Sequence, residues 1–541
     1  MKQLIFVFVD GEVMSKGTLL KGAIILSIAG VITKVISAIY RVPYQNMAGD
    51  IGFYVYQQVY PFYGMAIIFA TIGFPVVISK FVAEYRVKNK EKLQEFLALS
   101  FISLQIAGLV IFLIFYLGAP VIASFMQDNQ LVLPIRAISF IFLFVPFVAV
   151  VRGYYQGLGD MKPTAMTQII EQVIRITVIL TFTYIFVKNG FGDYVVGTGA
   201  AFGSIIGVFF AGVLLFLISR EDISYRAFLM HIKKVNGYTT VIKKIYMHGF
   251  AICLSAMALI LFQAIDAFTM VPLLKTIGIN VEEAKIMKGV YDRGQPLIQL
   301  GTVIATSIAL PLIPMLATVF AQKKWEELRS KAELALRTSL LFGLAAVAGL
   351  AIIIEPVNIM LFTDGKGTDV LLILSFSILF SSITSTTSAV LQGVGYIGLT
   401  ARHVTYGIIL KIILSLALIP IYATKGAALA TVIGFSFIAL LNVIAMLRKV
   451  GGCIPSLKKI LLMLLATIFL IVACSSWQFL ISDFLHLHMN TRLGAAFIAL
   501  STAVLGVAVY LGTIIFVGVY SEEELKALPI AKKIPILKRE R

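Results

Sequence analysis

One pattern of residues occurs twice in this chain, 236 positions apart. Gln156-Gly157-Leu158-Gly159 returns as Gln392-Gly393-Val394-Gly395, and at the same offset Pro75 answers Pro311, Lys88 answers Lys324, Thr164 answers Thr400 and Arg175 answers Lys411. The offset then shortens to 227, where Gly199-Ala200-Ala201 and Gly207 answer Gly426-Ala427-Ala428 and Gly434. A register held across several segments marks an internal structural repeat, so the second half must fold as the first does.

Hydropathy says what the repeated unit is. The chain has 541 residues, 59% hydrophobic and 13% charged, which leaves too little polar surface to cover a soluble protein of this length. Apolar stretches of about 20 residues, long enough to cross a bilayer, fall near 19–40, 53–79, 96–118, 131–151, 166–187 and 194–218. A second set falls near 247–271, 295–319, 335–360, 369–392, 403–422 and 426–447, and two more lie near 459–482 and 493–519. Backbone facing lipid must satisfy its own hydrogen bonds, and the short alternating strands of a barrel are absent, so these spans are expected to be helices. The expected fold class is all-α: a polytopic membrane protein of fourteen transmembrane helices.

The formal net charge of +18 belongs to loops, since no basic domain stands apart from the spans, and a nucleic-acid partner is not expected. Lys80 to Lys92, Arg152 and Lys162, the 219–246 segment, Lys323 to Lys331, Arg402, Arg448 to Lys459 and the tail from Lys526 all fall on alternate loops. The positive-inside rule makes that side cytoplasmic and places both termini there. Six spans per half is even, so both copies enter the membrane in one direction. The repeat is then parallel, with a pseudo-twofold axis along the membrane normal.

The expected organisation is a cytoplasmic N-terminus at 1–18, an N-lobe at 19–218, a cytoplasmic linker at 219–246 and a C-lobe at 247–447. Two further spans follow at 448–519, with a basic tail at 520–541. Residues 1–13 read as an upstream extension, because Met14-Ser15-Lys16-Gly17 looks like a more natural start. Cys253, Cys453 and Cys474 are scattered and suggest neither disulfides nor zinc, and His486 and His488 lack further ligands, so no metal is expected.

Charges inside spans cost roughly 2.5–3.5 kcal/mol each and ask for a reason. Arg136, Arg337 and Glu355 lie close enough to span ends to snorkel. Glu171 and Arg175, at i,i+4 spacing, suit a structural ion pair. Lys34, Arg41, Arg293 and Lys411 come from both lobes; if they converge, they make a cationic cavity suited to a phosphate or diphosphate. Asp266 is a candidate for cation coupling, alone or with the Ser/Thr-rich tenth span, whose small hydroxylated residues otherwise serve close helix packing. Tyr54, Gln57, Gln58 and Tyr60 open the second span, either as part of an interfacial aromatic belt or as contacts for sugar rings. Pro75 and Pro311 break helical ladders at matched places and are candidate hinges. The glycines of Gln-Gly-x-Gly suit helix ends and tight turns.

Gly73-Phe74-Pro75-Val76-Val77-Ile78-Ser79-Lys80 and Arg152-Gly153-Tyr154-Tyr155-Gln156-Gly157, with fourteen spans and a six-plus-six repeat, resemble the polysaccharide-export branch of the MOP (multidrug, oligosaccharidyl-lipid and polysaccharide exporter) superfamily. The resemblance runs from about residue 15 to the end and is strongest to stage V sporulation protein B and MurJ-type flippases. It implies alternating-access movement of an undecaprenyl-diphosphate-linked oligosaccharide or peptidoglycan precursor from the inner to the outer leaflet of a bacterial plasma membrane. Cationic residues of spans 1 and 8 would hold the diphosphate, and spans 13–14 the lipid tail. Tyr291-Asp292-Arg293 matches the span 8 motif, whereas Arg41 with Lys34 matches the span 1 position approximately. Gln57 and Gln58 stand where some members carry an arginine, and the acidic cation site of spans 10–11 is missing. The chain would be a transporter and not an enzyme, without a cofactor, driven by membrane potential, H+ or Na+. It would act as a monomer with possible envelope-synthesis partners. The alternatives are a multidrug cation antiporter of the same fold, a membrane glycosyltransferase or polymerase, and a non-transporting envelope scaffold.

Overall fold

Two turns at one membrane face decide how the apolar runs become separate spans. In a computed structural model, which describes residues 16–88, 90–224, 239–484 and 491–519, Gly49 (φ 69°, ψ −177°) and Ala423 (φ 49°, ψ −131°) interrupt otherwise continuous helix. Gly49 adopts a conformation that a side chain would disfavour, and it reverses the chain at no steric cost. Ala423 makes the matching reversal in the second half with a Cβ in place. The proposed extension at 1–13, the middle of the 219–246 linker, His486, His488 and the tail at 520–541 lie outside the described residues.

The helices are α1 (Lys16–Ile39), α2 (Arg41–Ile68), α3 (Phe74–Lys88), α4 (Lys90–Phe125), α5 (Val132–Ser139), α6 (Ile141–Leu158), α7 (Lys162–Lys188) and α8 (Asp193–Ser219). The second half holds α9 (Thr239–Ala256), α10 (Ala258–Thr276), α11 (Val281–Asp292), α12 (Gly294–Ala321), α13 (Trp325–Phe362), α14 (Thr368–Gly393) and α15 (Ile397–Lys449), followed by α16 (Leu457–Phe484) and α17 (Arg492–Val517). Eleven helical stretches are long and apolar enough to cross a membrane. Two of these, Ile25–Arg86 and Ile397–Lys449, run 62 and 53 residues and turn back at Gly49 and Ala423, so each supplies two spans. The uncharged 28-residue α12 completes fourteen. No strand occurs among the described residues.

Between α2 and α3 the chain makes one π turn, Phe69–Gly73. Pro75 follows at once and has no N–H to give to the ladder, so the wider turn accommodates the missing bond. Pro311, its repeat counterpart, falls within α12. The Gln-Gly-x-Gly glycines divide the work. Gly159 (φ 82°) and Gly395 (φ 88°) take the left-handed turn that ends α6 and α14. Gly157 and Gly393 instead permit close approach: a Cβ on Gly157 would lie 2.6 Å from the Ser79 carbonyl oxygen, and one on Gly393 would lie 3.1 Å from that of Ile313.

Within the first lobe α7 packs on α8, α6 on α3 and α4, and α2 on α8; in the second, α14 packs on α12, α13 and α15. The lobes meet where α1 lies along α12 and where α2, α3 and the π turn lie against α9 and α10. One apolar core runs through both lobes, while α16 and α17 pack on α13 and form a separate cluster. The tenth-span hydroxyls serve packing: Ser339 bonds the Thr386 hydroxyl at 2.7 Å and the Ser382 carbonyl at 3.0 Å. Cys253, Cys453 and Cys474 are all free and buried.

Candidate functional site between the lobes

The tyrosine-rich start of the second span is not a belt at the lipid surface. Tyr54, Tyr56, Tyr60 and Tyr63 are buried, and Tyr56, Tyr60 and Tyr63 share one helix face, which turns toward α1 and α7. There they enclose Arg175, from the middle of α7. Its guanidinium donates to the hydroxyls of Tyr40 (2.8 Å) and Tyr56 (2.6 Å), to Gln172 (3.0 Å) and to Ser204 (3.2 Å). It also stacks 3.9 Å from the Tyr63 ring centroid. Tyr40 and Tyr56 are themselves hydrogen-bonded. The interfacial-belt reading is therefore corrected: the period of three to four residues already marks an inward face.

Arg41, at the start of α2, shares this cage. It sits 4.2 Å from the centroid of the Tyr60 ring, and Arg175 sits 5.9 Å from the same ring. Arg41 is 1% exposed, and its Nε and Nη2 have no hydrogen-bond partner. Tyr60 also interacts with Ser37 on α1 and Gln299 on α12, which places the cage on the seam between the lobes. Gln57 nearby keeps a buried, unpartnered Oε1. Lys34 lies seven residues before Arg41, on the same helical face, half-buried. Neither arginine forms an ion pair among the described residues. Two buried guanidiniums held by aromatic rings and hydroxyls concentrate positive charge on this seam, in groups whose chemistry suits an anion.

Glu171 takes a different partner from the one its spacing suggests. Its carboxylate binds Arg152 Nη2 at 2.9 Å, with both side chains buried, and Arg152 also reaches the Thr167 hydroxyl and the Ala70 carbonyl. The Glu171–Arg175 pair is therefore replaced by Arg152–Glu171, which ties α6 to α7. Arg175 is released into the cage.

Lys411 does not join the cationic set. It is fully buried, and its Nζ lies 2.6 Å from Asp266 Oδ1, 2.8 Å from the Thr431 hydroxyl and 3.0 Å from the Ala427 carbonyl oxygen. Tyr291 donates to the other Asp266 oxygen at 2.8 Å. Asp266, the candidate for cation coupling, thus has an ammonium of the chain itself as its cation.

Arg293 is also spoken for. It bonds Asp50 at 2.6 Å and Asp364 at 2.5 Å, at the face of the helices opposite the basic loops. Asp50 follows the Gly49 turn, so this pair joins the two lobes. Lys285 on α11 adds a second bridge, 3.0 Å from Asp128, which also accepts bonds from Tyr54 (3.1 Å) and Tyr194 (2.6 Å). Gln58 donates across the seam to the Ala267 carbonyl at 3.2 Å, and Asn46 to that of Leu361 at 3.1 Å. A Cβ on Gly289 would lie 2.3 Å from the Asp50 carbonyl oxygen, so the lobes touch closely here. Burial would raise the Asp364 carboxyl, but the hydrogen bonds from Arg293 and the Lys366 backbone N–H hold it below its ordinary value. Arg293, a diphosphate candidate by its span 8 motif, holds Asp50 and Asp364 at this face. Tyr54 and Gln58, candidate glycan contacts, are engaged in the same closure. Groups of His, Cys, Asp and Glu able to hold a metal are absent among the described residues.

Comparison with known proteins places these features. The model of the family described as "Polysaccharide biosynthesis protein" matches residues 19–320. The Uncharacterized membrane protein YabM of Bacillus subtilis is 40% identical, over 96% of this chain and 97% of its own length. The Lipid II flippase MurJ of the same organism is 27% identical, over 91% and 94%. A solved structure of Lipid II flippase MurJ in an inward closed conformation superposes with a TM-score of 0.65 at 17% identity, covering 91% of this chain and 98% of that one, which shows the shared fold.

Proposed function

The chain belongs to the polysaccharide biosynthesis protein family, and from that premise we propose that it is a flippase for an undecaprenyl-diphosphate-linked oligosaccharide or peptidoglycan precursor. The observation that carries the reading is Arg41: a buried guanidinium on the seam between the lobes, with two nitrogens unpartnered. Such a group has lost water without gaining an acceptor, and a diphosphate supplies acceptors in the matching geometry. Arg175 adds a second positive charge over the same ring, and Lys34 lies on the same face.

In this mechanism the face closed by Arg293 and Asp50 is external and both termini are cytoplasmic. The head group enters from the cytoplasmic side and settles on Arg41 and Arg175. The Arg293–Asp50 and Lys285–Asp128 bridges then part while the lobes rock about the π turn beside Pro75 and the region of Pro311, and the lipid tail stays in the bilayer. Each unit charge moved through 100 mV is worth about 2.3 kcal/mol, so an inside-negative potential favours outward movement of the anion. Expulsion of organic cations is the weaker reading, because the buried carboxylate Asp266 is neutralised by Lys411 and the seam is positive.

The test is binding of an undecaprenyl-linked diphosphate sugar to the full chain in nanodiscs, with flipping measured in proteoliposomes. Losing charge-assisted bonds worth about 1.5–3 kcal/mol, Arg41→Ala is expected to bind roughly 10- to 100-fold more weakly and to fold normally. Equal affinity in the variant would remove the proposal.

A further inference from the structure

We propose that the second lobe is built around a monovalent-cation cage whose occupant is the chain's own Lys411 ammonium, and that removing this side chain turns the cage into a binding site for a free ammonium or alkali cation. The ligand set is that of a hard cation: one carboxylate oxygen, one hydroxyl and one backbone carbonyl, at 2.6, 2.8 and 3.0 Å. They come from Asp266 on α10 and from Thr431 and Ala427 on the second half of α15, while Lys411 enters from its first half. An ammonium has three donors and no acceptor, and the cage offers it three oxygens.

The surrounding bonds hold those oxygens in place. Tyr291 donates to Asp266 Oδ2 at 2.8 Å and stands 3.2 Å from the Thr431 hydroxyl. Thr431 in turn donates to the Ala427 carbonyl at 3.0 Å, which leaves its lone pairs for the ammonium. Gly434 lets α15 lie close beside Phe262 and the stem of Lys411. Without the lysine, a buried carboxylate, a polar shell and the vacated volume of the side chain remain. Such a space is stable only if a positive ion enters or the carboxylate takes up a proton. In the native chain the tether keeps the cage filled at every ionic composition, so spans 7, 11 and 12 stay joined whichever alkali cation prevails. This assignment concerns the second lobe and is independent of the anion site proposed on Arg41 and Arg175.

The experiment is thermal unfolding of the full chain in nanodiscs at constant ionic strength, with ammonium, potassium, sodium or choline chloride, for wild type, Lys411→Ala and Lys411→Ala/Asp266→Asn. The single variant is expected to gain several degrees, saturably, with the small cations but not with choline. Wild type and the double variant should respond to none of them selectively. In the single variant, occupancy of the vacated cage by the small cation should also be read as protection of a cysteine introduced at Thr431 from labelling, and no such protection is expected with choline. A folded Lys411→Ala that is indifferent to cation identity overturns the proposal, as does a selective response equally large in wild type. If the single variant folds only when extracted in ammonium or alkali salts, the cage is supported; if it fails in all salts while the double variant folds, the cage is rejected.

Discussion

Arg175 and Lys411 hold matching positions in the two lobes, and their surroundings resolve the same electrostatic problem in opposite ways. Each projects from the fifth span of its lobe beside a glycine of the sixth, Gly207 or Gly434. Around Lys411 the lobe supplies a carboxylate, and the charge is cancelled inside the helices. Around Arg175 it supplies tyrosine hydroxyls and rings, which hold the guanidinium without neutralising it. Duplication preserved the scaffold and the cation, while the partners diverged. One lobe became an electrically closed strut, and the other carries a positive seam that Arg41 reinforces.

The largest expected effect tests the strut. Lys411→Met leaves the buried Asp266 carboxylate without its counter-charge, and should cost about 3–5 kcal/mol of stability. Lys411→Met/Asp266→Asn should recover most of that loss, read as a double-mutant cycle by thermal or denaturant unfolding. Additive single effects would break the contrast between the lobes. Next comes the closed face that joins them. Gly289→Ala must push α11 off the Asp50 carbonyl at a cost of about 1–3 kcal/mol. It should raise the labelling rate of a cysteine introduced at Gln58, while leaving the binding of a diphosphate lipid to the seam in place.

A smaller effect sharpens the first lobe. Arg175→Lys keeps the charge but loses the fork that reaches Tyr40 and Tyr56 together, and should cost about 1–2 kcal/mol while weakening diphosphate binding. Unchanged binding would show that charge alone matters there. The smallest is a pH effect at the closed face. The Asp364 carboxyl is depressed in the folded protein, so its bond to Arg293 contributes fully above the ordinary carboxylate range. That contribution is lost as pH falls through the depressed value. Asp364→Asn should flatten this acid limb in a cross-lobe labelling assay.

The spans, the repeat and the turn glycines could be read from the chain because each rests on local chemistry: runs of apolar side chains, a constant offset, and positions that tolerate no Cβ. The site was only half legible for the opposite reason. Glu171 and Arg175 satisfy an i,i+4 rule, yet Arg152, 19 residues away, offers a buried partner that no helical spacing reveals. Arg293 meets carboxylates 243 and 71 residues distant. Asp266 and Lys411 come from different spans, so both looked unpaired along the sequence. The tyrosine face, by contrast, is legible in the sequence. Tyr56, Tyr60 and Tyr63 repeat at helical spacing, and rings on one stripe of a mid-membrane helix point inward more readily than a belt would.

The π turn at Phe69–Gly73 has a mechanical consequence. It carries one surplus residue, and absorbing that residue into regular helix would swivel everything below it by about 100°. Yet α3 is meshed with α6 through Ile78 and Val82, which fill the places where Gly153 and Gly157 lack side chains. A swivel at this point cannot be private to one helix. It must carry α6 along, and with it the Arg152–Glu171 tie to α7, so slack in a single turn is transmitted like a gear step to the floor of the tyrosine cage.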